Sequence, residues 1–154
     1  MRFYILLFSL LFLFSCEKSQ DFPAPVTDNT FLSCDINNAN MYTNTITASV
    51  NNSDMLSVVA DDGVHSITIR VYNFSDKNIG DTVYFSVPGM GIVLKDGVTF
   101  SNLYSPPYDG ILIFSDITSS TISGDFYFKA QDVAVGSFTN VNVINGLFQN
   151  ILYY

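Results

Sequence analysis

The strongest constraint on this chain is a two-residue rhythm. From His65 to Tyr72 it places Ile67, Ile69 and Val71 on one face of an extended backbone and Ser66, Thr68, Arg70 and Tyr72 on the other. Alternation of this kind buries one side of a strand and wets the other. Thr82 to Val87 repeats it with Val83, Phe85 and Val87 inward, and Asp125 to Ala130 with Phe126, Phe128 and Ala130 inward. Further β-rich runs extend from Thr45 to Val50, Met55 to Ala60, Ile92 to Leu94, Val98 to Leu103, Ile111 to Phe114, Val141 to Ile144 and Leu147 to Leu152. Asp62-Gly63, Asp96-Gly97 and Asn145-Gly146 each separate two runs. Such pairs adopt the positive φ values of tight hairpin turns. Asp109-Gly110 and Ser123-Gly124 mark further bends or bulges. No window carries a helical apolar stripe, and no long repeat is visible. The expected fold is all-β: an antiparallel meander of about eight to ten short strands. It closes as a two-layer sandwich or a flattened barrel, because a lone sheet would leave one apolar face in water.

Ahead of this pattern stands a different segment. Arg2 precedes an apolar run from Phe3 to Phe14, which ends in Ser15-Cys16. The run suits a signal-peptide core and falls short of the roughly 20 residues that a spanning helix needs. Leu13-Phe14-Ser15-Cys16 resembles a bacterial lipobox, with Leu three before the Cys and a small residue just before it. That resemblance implies removal of residues 1–15, a thioether-linked diacylglycerol on Cys16 and acylation of the new amino group. Several acyl chains hold far longer than one, at about 0.8 kcal/mol per buried methylene. Residues 16–29 then comprise the lipidated Cys and a tether with Pro23 and Pro25 and no apolar period. Extended, it holds residues 30–154, a single β-domain, up to about 40 Å from the bilayer.

Charge narrows the partners. Without residues 1–15 the chain keeps fourteen Asp and Glu against five Lys and Arg, a balance of −9. Phosphate backbones and anionic headgroups are repelled by such a surface, so nucleic acid is not an expected partner and membrane attachment rests on lipid. With Cys16 lipidated, Cys34 has no intrachain partner for a disulfide. It shares a face with Leu32 and Ile36, which makes it a buried, inert thiol.

No constellation carries a recognisable reaction. His65, the single histidine, opens a strand after Asp61-Asp62-Gly63-Val64. A metal there would need carboxylates that converge in space, and no metal site or cofactor is expected. The carboxylates are scattered, with no calcium-loop motif, nucleophile elbow, zinc-binding His pair or phosphate-cradling Gly loop. The most suggestive surface stretch is Asn102-Leu103-Tyr104-Ser105-Pro106-Pro107-Tyr108-Asp109-Gly110. Tyr104 and Tyr108 flank a Pro pair that stiffens the loop, and such rings serve as a platform for a sugar or a partner chain. Equally, they serve to cover the end of the core.

Three segments resemble a known family. Asn29-Thr30-Phe31, then Cys34-Asp35-Ile36-Asn37-Asn38 and Tyr42, look like the opening hairpin of small Bacteroidota lipoproteins. Ile122-Ser123-Gly124-Asp125-Phe126-Tyr127-Phe128-Lys129-Ala130 is similar to a later strand of theirs. Val141-Asn142-Val143-Ile144-Asn145-Gly146-Leu147-Phe148 resembles their closing hairpin. Together these point to a DUF6252-like domain, a family without an assigned activity, across Thr30 to Tyr154. Here one additional residue separates Phe31 from Cys34, which suggests a bulge, and Asn38 stands where the family turns on Gly. Asn tolerates the same left-handed backbone. The resemblance implies lipidation, an all-β fold and an outer-membrane address facing the periplasm or the outside, and it supplies no catalytic residue. The expectation is a lipid-anchored envelope lipoprotein that is not an enzyme and binds a glycan, a peptide or an envelope protein. The alternatives are a structural subunit of an envelope complex, or an acid/base hydrolase requiring a cleft with paired carboxylates.

Overall fold

The computed structural model describes residues 29–102, 110–134 and 136–154. Among these residues there are eleven strands, all paired antiparallel, and no α-helix. They are β1 (Phe31–Ile36), β2 (Ala39–Thr43), β3 (Ile46–Val50), β4 (Met55–Asp61), β5 (His65–Tyr72), β6 (Thr82–Tyr84), β7 (Gly91–Lys95), β8 (Val98–Ser101), β9 (Gly110–Ile117), β10 (Thr121–Asp132) and β11 (Asn140–Leu152). The main path through the sheet is β2-β1-β11-β10-β8-β7-β5-β4-β3, with β9 on β10 and β6 on β9.

The sheet is nearly closed and barrel-like, and its spine is the β10–β11 hairpin. One edge of β10 pairs first with β9, through Ile122 to Phe128, and then with β8, through Gln131 and Asp132. One edge of β11 pairs with β1 as far as Gln149, and beyond it the Val50 N–H donates to the Tyr154 carbonyl at 3.0 Å. The circuit β3-β4-β5-β7-β8-β10-β11 thereby comes back to its start, while β1–β2 and β9–β6 extend the sheet as flaps. Strands that serve two layers must be long and must bend. β10 and β11 run to 12 and 13 residues. The bends are bulges in β11, where Asn145 (φ 53) and Asn150 (φ 51) are left-handed and the register to β10 slips by one at each.

Glycines opposite phenylalanines let this hairpin pack. Gly124 pairs with Phe148, and two positions on Phe126 pairs with Gly146, so rings and glycines exchange strands. A methyl group on Gly124 would lie 2.6 Å from the Ile113 carbonyl oxygen and 2.7 Å from the Phe148 ring. On Gly146 it would lie 2.5 Å from the Phe126 carbonyl oxygen and 2.6 Å from the Phe126 ring. On Gly91 it would meet the Phe128 ring at 2.7 Å and that of Phe85 at 2.8 Å. The rings therefore lie flat over bare backbone and pack on one another. Phe85–Phe128 centroids are 5.2 Å apart, Phe126–Phe148 6.2 Å and Phe114–Phe148 6.4 Å.

The expected strand faces hold with one exception. Ile67, Ile69, Val71, Phe126, Phe128, Ala130, Leu32, Cys34 and Ile36 are all buried. Val83 and Phe85 are buried too, but Val87 is 44% exposed. The strand stops at Tyr84 and the alternation after Phe85: the Tyr84 carbonyl accepts the Ser86 N–H at 2.8 Å as the chain turns into Pro88-Gly89. Asp62-Gly63 and Asp96-Gly97 are hairpin turns as expected, and Asn37-Asn38 (φ 49 and 67) closes β1–β2 without glycine. Asn145-Gly146 is not a turn, because β11 continues through it as a bulge. The irregularity expected near Cys34 lies between Ser33 and Asp35, and its additional residue is on β11, since β1 pairs with β2 without a break.

One buried polar residue holds the irregular segment between β6 and β7. The Asn102 amide accepts the Gly91 N–H at 2.9 Å and donates to the Phe85 and Val87 carbonyls at 3.3 and 2.9 Å. With both halves of the amide used, burial to 3% exposure is tolerated.

Gly91→Ala is expected to destabilise the domain by about 2 to 3 kcal/mol, since the new methyl overpacks rings already in contact. Phe128→Leu makes room, so the two changes together should cost at least about 1 kcal/mol less than their sum. Urea denaturation of the four proteins of the cycle checks this, and strict additivity would contradict the packing described.

Candidate functional site

The outward faces of the two layers differ in chemistry. On the β3-β4-β5-β7-β8 layer, register aligns Thr47, Val59, Thr68, Ile92 and Ser101 in one row and Ser49, Ser57 and Arg70 in another. A further row holds Asp61, Ser66, Leu94 and Thr99, with Tyr72 at the end of β5, so this side is rich in hydroxyl groups but also exposes Val59, Leu94 and Tyr72. On the β2-β1-β11-β10-β9-β6 layer, one row runs Tyr42, Ser33, Leu147, Asp125, Ile113, Thr82. The next runs Asn40, Asp35, Ile144, then past the Asn145 bulge to Tyr127, Ile111 and Tyr84. Six strands at about 4.8 Å spacing make this face about 24 Å wide.

Aromatic and aliphatic side chains are held at its surface by strand alternation. Tyr42 is 61% exposed and Tyr127 47%. The Tyr42 ring stacks on Phe31, with centroids 5.6 Å apart and planes at 21°. Between Tyr127 and Leu147 a shallow hollow of about 500 Å³ opens, floored by Ile111, Ile113 and Gly146 and rimmed by Asp125 and Asn145. It lies where the bulge interrupts the alternation of β11. The same bulge aims the Asn145 amide across to β1, where it donates to the Asp35 carboxylate at 2.8 Å. Asn40 approaches the other Asp35 oxygen at 3.5 Å. Asp35 is thus fixed from both sides, and an ionised carboxylate retains acceptor positions beyond these two.

Cys16, Tyr104 and Tyr108 lie outside the described residues. His65 and Asp62 form a local turn: Asp62 Oδ1 accepts the Val64 and His65 N–H groups at 2.8 and 2.6 Å, and Oδ2 lies 3.4 Å from His65 Nδ1. Burial pushes the Asp62 carboxyl up, but the His65 and Val64 N–H groups and the His65 ring outweigh it and hold it below its ordinary value of 3.8. Asp61 is occupied in the same turn by the Gly63 N–H at 2.6 Å. No group of three or more His, Cys, Asp or Glu that could hold a metal ion occurs among the described residues. The Cys34 thiol is buried and pushed up to about 12, first by burial and then by the charges of Asp35 and Asp62. A thiol in that state is neither nucleophile nor ligand at neutral pH. Among the described residues no helix is long and apolar enough to cross a membrane.

Sequence reasoning found the outward direction of Tyr127 and missed the face it belongs to, because Asp35 and Asn145 meet from positions 110 residues apart. No family model matches the chain, and no curated protein or solved structure was found to be similar to it.

Two outcomes follow from these environments. In protein carrying Cys16→Ser, Cys34 should resist a thiol reagent at pH 8 until the domain is unfolded in denaturant; rapid reaction of the native protein would contradict its burial. The lowered Asp62 carboxyl contributes stability that is complete above its unfolded value near 3.8 and is lost as pH falls through the lower folded value. The stability lost in Asp62→Ala should therefore be largest near neutrality and shrink on acidification. Urea midpoints from pH 7 down to pH 2 check it, and a pH-independent difference would show that the charge plays no part.

Proposed function

We propose that the protein is a lipid-anchored envelope lipoprotein whose β-domain is a non-catalytic binding module, working through the β2-β1-β11-β10-β9-β6 face. Its anchor is Cys16 after removal of residues 1–15, resembling other lipobox-bearing chains, and the tether of residues 16–29 gives the domain its reach. The outer membrane is the proposed address. The observation that carries the binding reading is the contrast between the two outward faces. One is richer in Ser and Thr, with Val59, Tyr72 and Leu94 exposed among them; the other gathers the exposed rings of Tyr42 and Tyr127, Ile144 and a carboxylate held by a neighbouring amide on paired strands. Interfaces favour that composition, in which rings provide contact area and amides and carboxylates provide direction. Asp61 and Asp62 spend oxygens on turn N–H groups, which suits a structural role better than acid/base work.

A second reading, a structural subunit of an envelope complex, is favoured by one feature. Among the described residues β2 is an edge strand that pairs only with β1, and Ala39–Thr43 carries no charged residue to discourage another strand.

Radioactive palmitate labelling of wild type and Cys16→Ser tests the anchor. Label is expected in the first and not in the second; label in both, or in neither, would overturn it. A pull-down from native envelope with wild-type and Tyr127→Asp protein tests the face. Partners retained by wild type should be lost from the variant at unchanged thermal stability, whereas identical captures would remove the face from the account. Protease shaving of intact cells decides whether the domain faces outward.

A further inference from the structure

We propose that the β2-β1-β11-β10-β9-β6 face is a binding site for a neutral glycan, an inference that rests on the binding-module reading and assigns its ligand class. Three features of the face bear on what fits it.

The first is shape. Tyr42 and Tyr127 stand at the surface three strands and one row apart, about 14 Å measured across the strands, with a shallow hollow beside Tyr127, a spacing that lets an extended chain touch both rings. The C–H faces of a pyranose ring are apolar and stack on such side chains, while the phenol oxygens remain available to hydroxyl groups.

The second is the polar set between the rings. Asp35 is held by Asn145 at 2.8 Å and by Asn40 at 3.5 Å, and it keeps free acceptor positions. Vicinal hydroxyls of a sugar are donors that a fixed carboxylate accepts with charge-assisted hydrogen bonds. The amides of Asn40 and Asn145 bring both donors and acceptors to the same spot. Because the brace exists before any ligand arrives, binding does not have to order these side chains.

The third is charge. The chain carries fourteen Asp and Glu against six Lys and Arg, and Asp35 and Asp125 lie on the face itself. Acidic polysaccharide, lipid headgroup phosphate and nucleic acid are all repelled. A polymer rich in hydroxyls and without charge meets no such penalty.

The test is native gel electrophoresis of the wild-type domain through gels containing dextran, laminarin, mannan or xylan, with alginate as an acidic counter-probe. At least one neutral polymer should retard the wild type, and alginate should not. Tyr42→Ala, Tyr127→Ala and Asp35→Ala should each weaken that retardation at least tenfold, while Leu94→Ala, exposed on the opposite layer, leaves it unchanged. Thermal melts of every variant separate loss of binding from loss of fold. Retardation by none of the neutral polymers, or retardation that the three face variants leave intact, would overturn the glycan assignment. If a face-dependent protein partner is nonetheless captured from native envelope, the glycan assignment falls and the binding-module reading stands. If neither polymer nor partner depends on the face, both fall.

Discussion

The exchange of rings and glycines along the β10–β11 hairpin is the contact on which the rest of the molecule depends. Each of Gly124 and Gly146 faces a phenylalanine on the neighbouring strand, and neither position has room for a methyl group. Glycine in a strand interior ordinarily weakens it through entropy and lost packing. Here the opposing ring covers the bare backbone, restores apolar contact and excludes water, the arrangement known as aromatic rescue. Phe126 and Phe148 then sit low enough to meet Phe128 and Phe114, and the aromatic core continues from the hairpin into both layers.

The same hairpin determines where the outward side chains go. Each left-handed Asn in β11 inserts a residue, bends the strand and shifts which residues face water. At Asn145 the result is a hollow beside Tyr127 and an amide aimed at Asp35. A surface built on paired strands is stiffer than one built on loops, so its rings and polar groups hold their spacing. Core and surface are therefore coupled through one element: the device that lets β11 turn between layers also shapes the face. Asn145 contributes to both.

Much of this was legible from local pattern. β5 has the bounds that its alternation implies, and Asp62-Gly63 and Asp96-Gly97 turn where two strands must reverse. The failures are as instructive. Asn145-Gly146 carries the same turn signal, yet Asn145 alone takes the left-handed backbone, while Gly146 stays in the strand because the Phe126 ring occupies the place of its side chain. A dipeptide cannot distinguish a turn from a bulge when the deciding ring lies on another strand. Val87 failed for a different, local reason, since the turn at Pro88-Gly89 cut the strand short. The face itself was invisible, because β1 joins β11 across almost the whole domain and no local rhythm encodes that pairing. Asn102 was equally hidden, for its partners are carbonyls and an N–H of a segment that only the fold brings to it.

On the proposed reading, one side of this β-domain is covered by a ligand or partner in use and the other stays wet. Hydroxyl-radical footprinting tests this proposal in place, comparing the protein in an isolated envelope fraction with the same protein purified in detergent. The account expects Tyr42 and Tyr127 to be protected from oxidation in the envelope and released on purification, with Leu94, exposed on the opposite layer, oxidised equally in both. Equal oxidation of all three residues in the two preparations, or protection confined to Leu94, would contradict it.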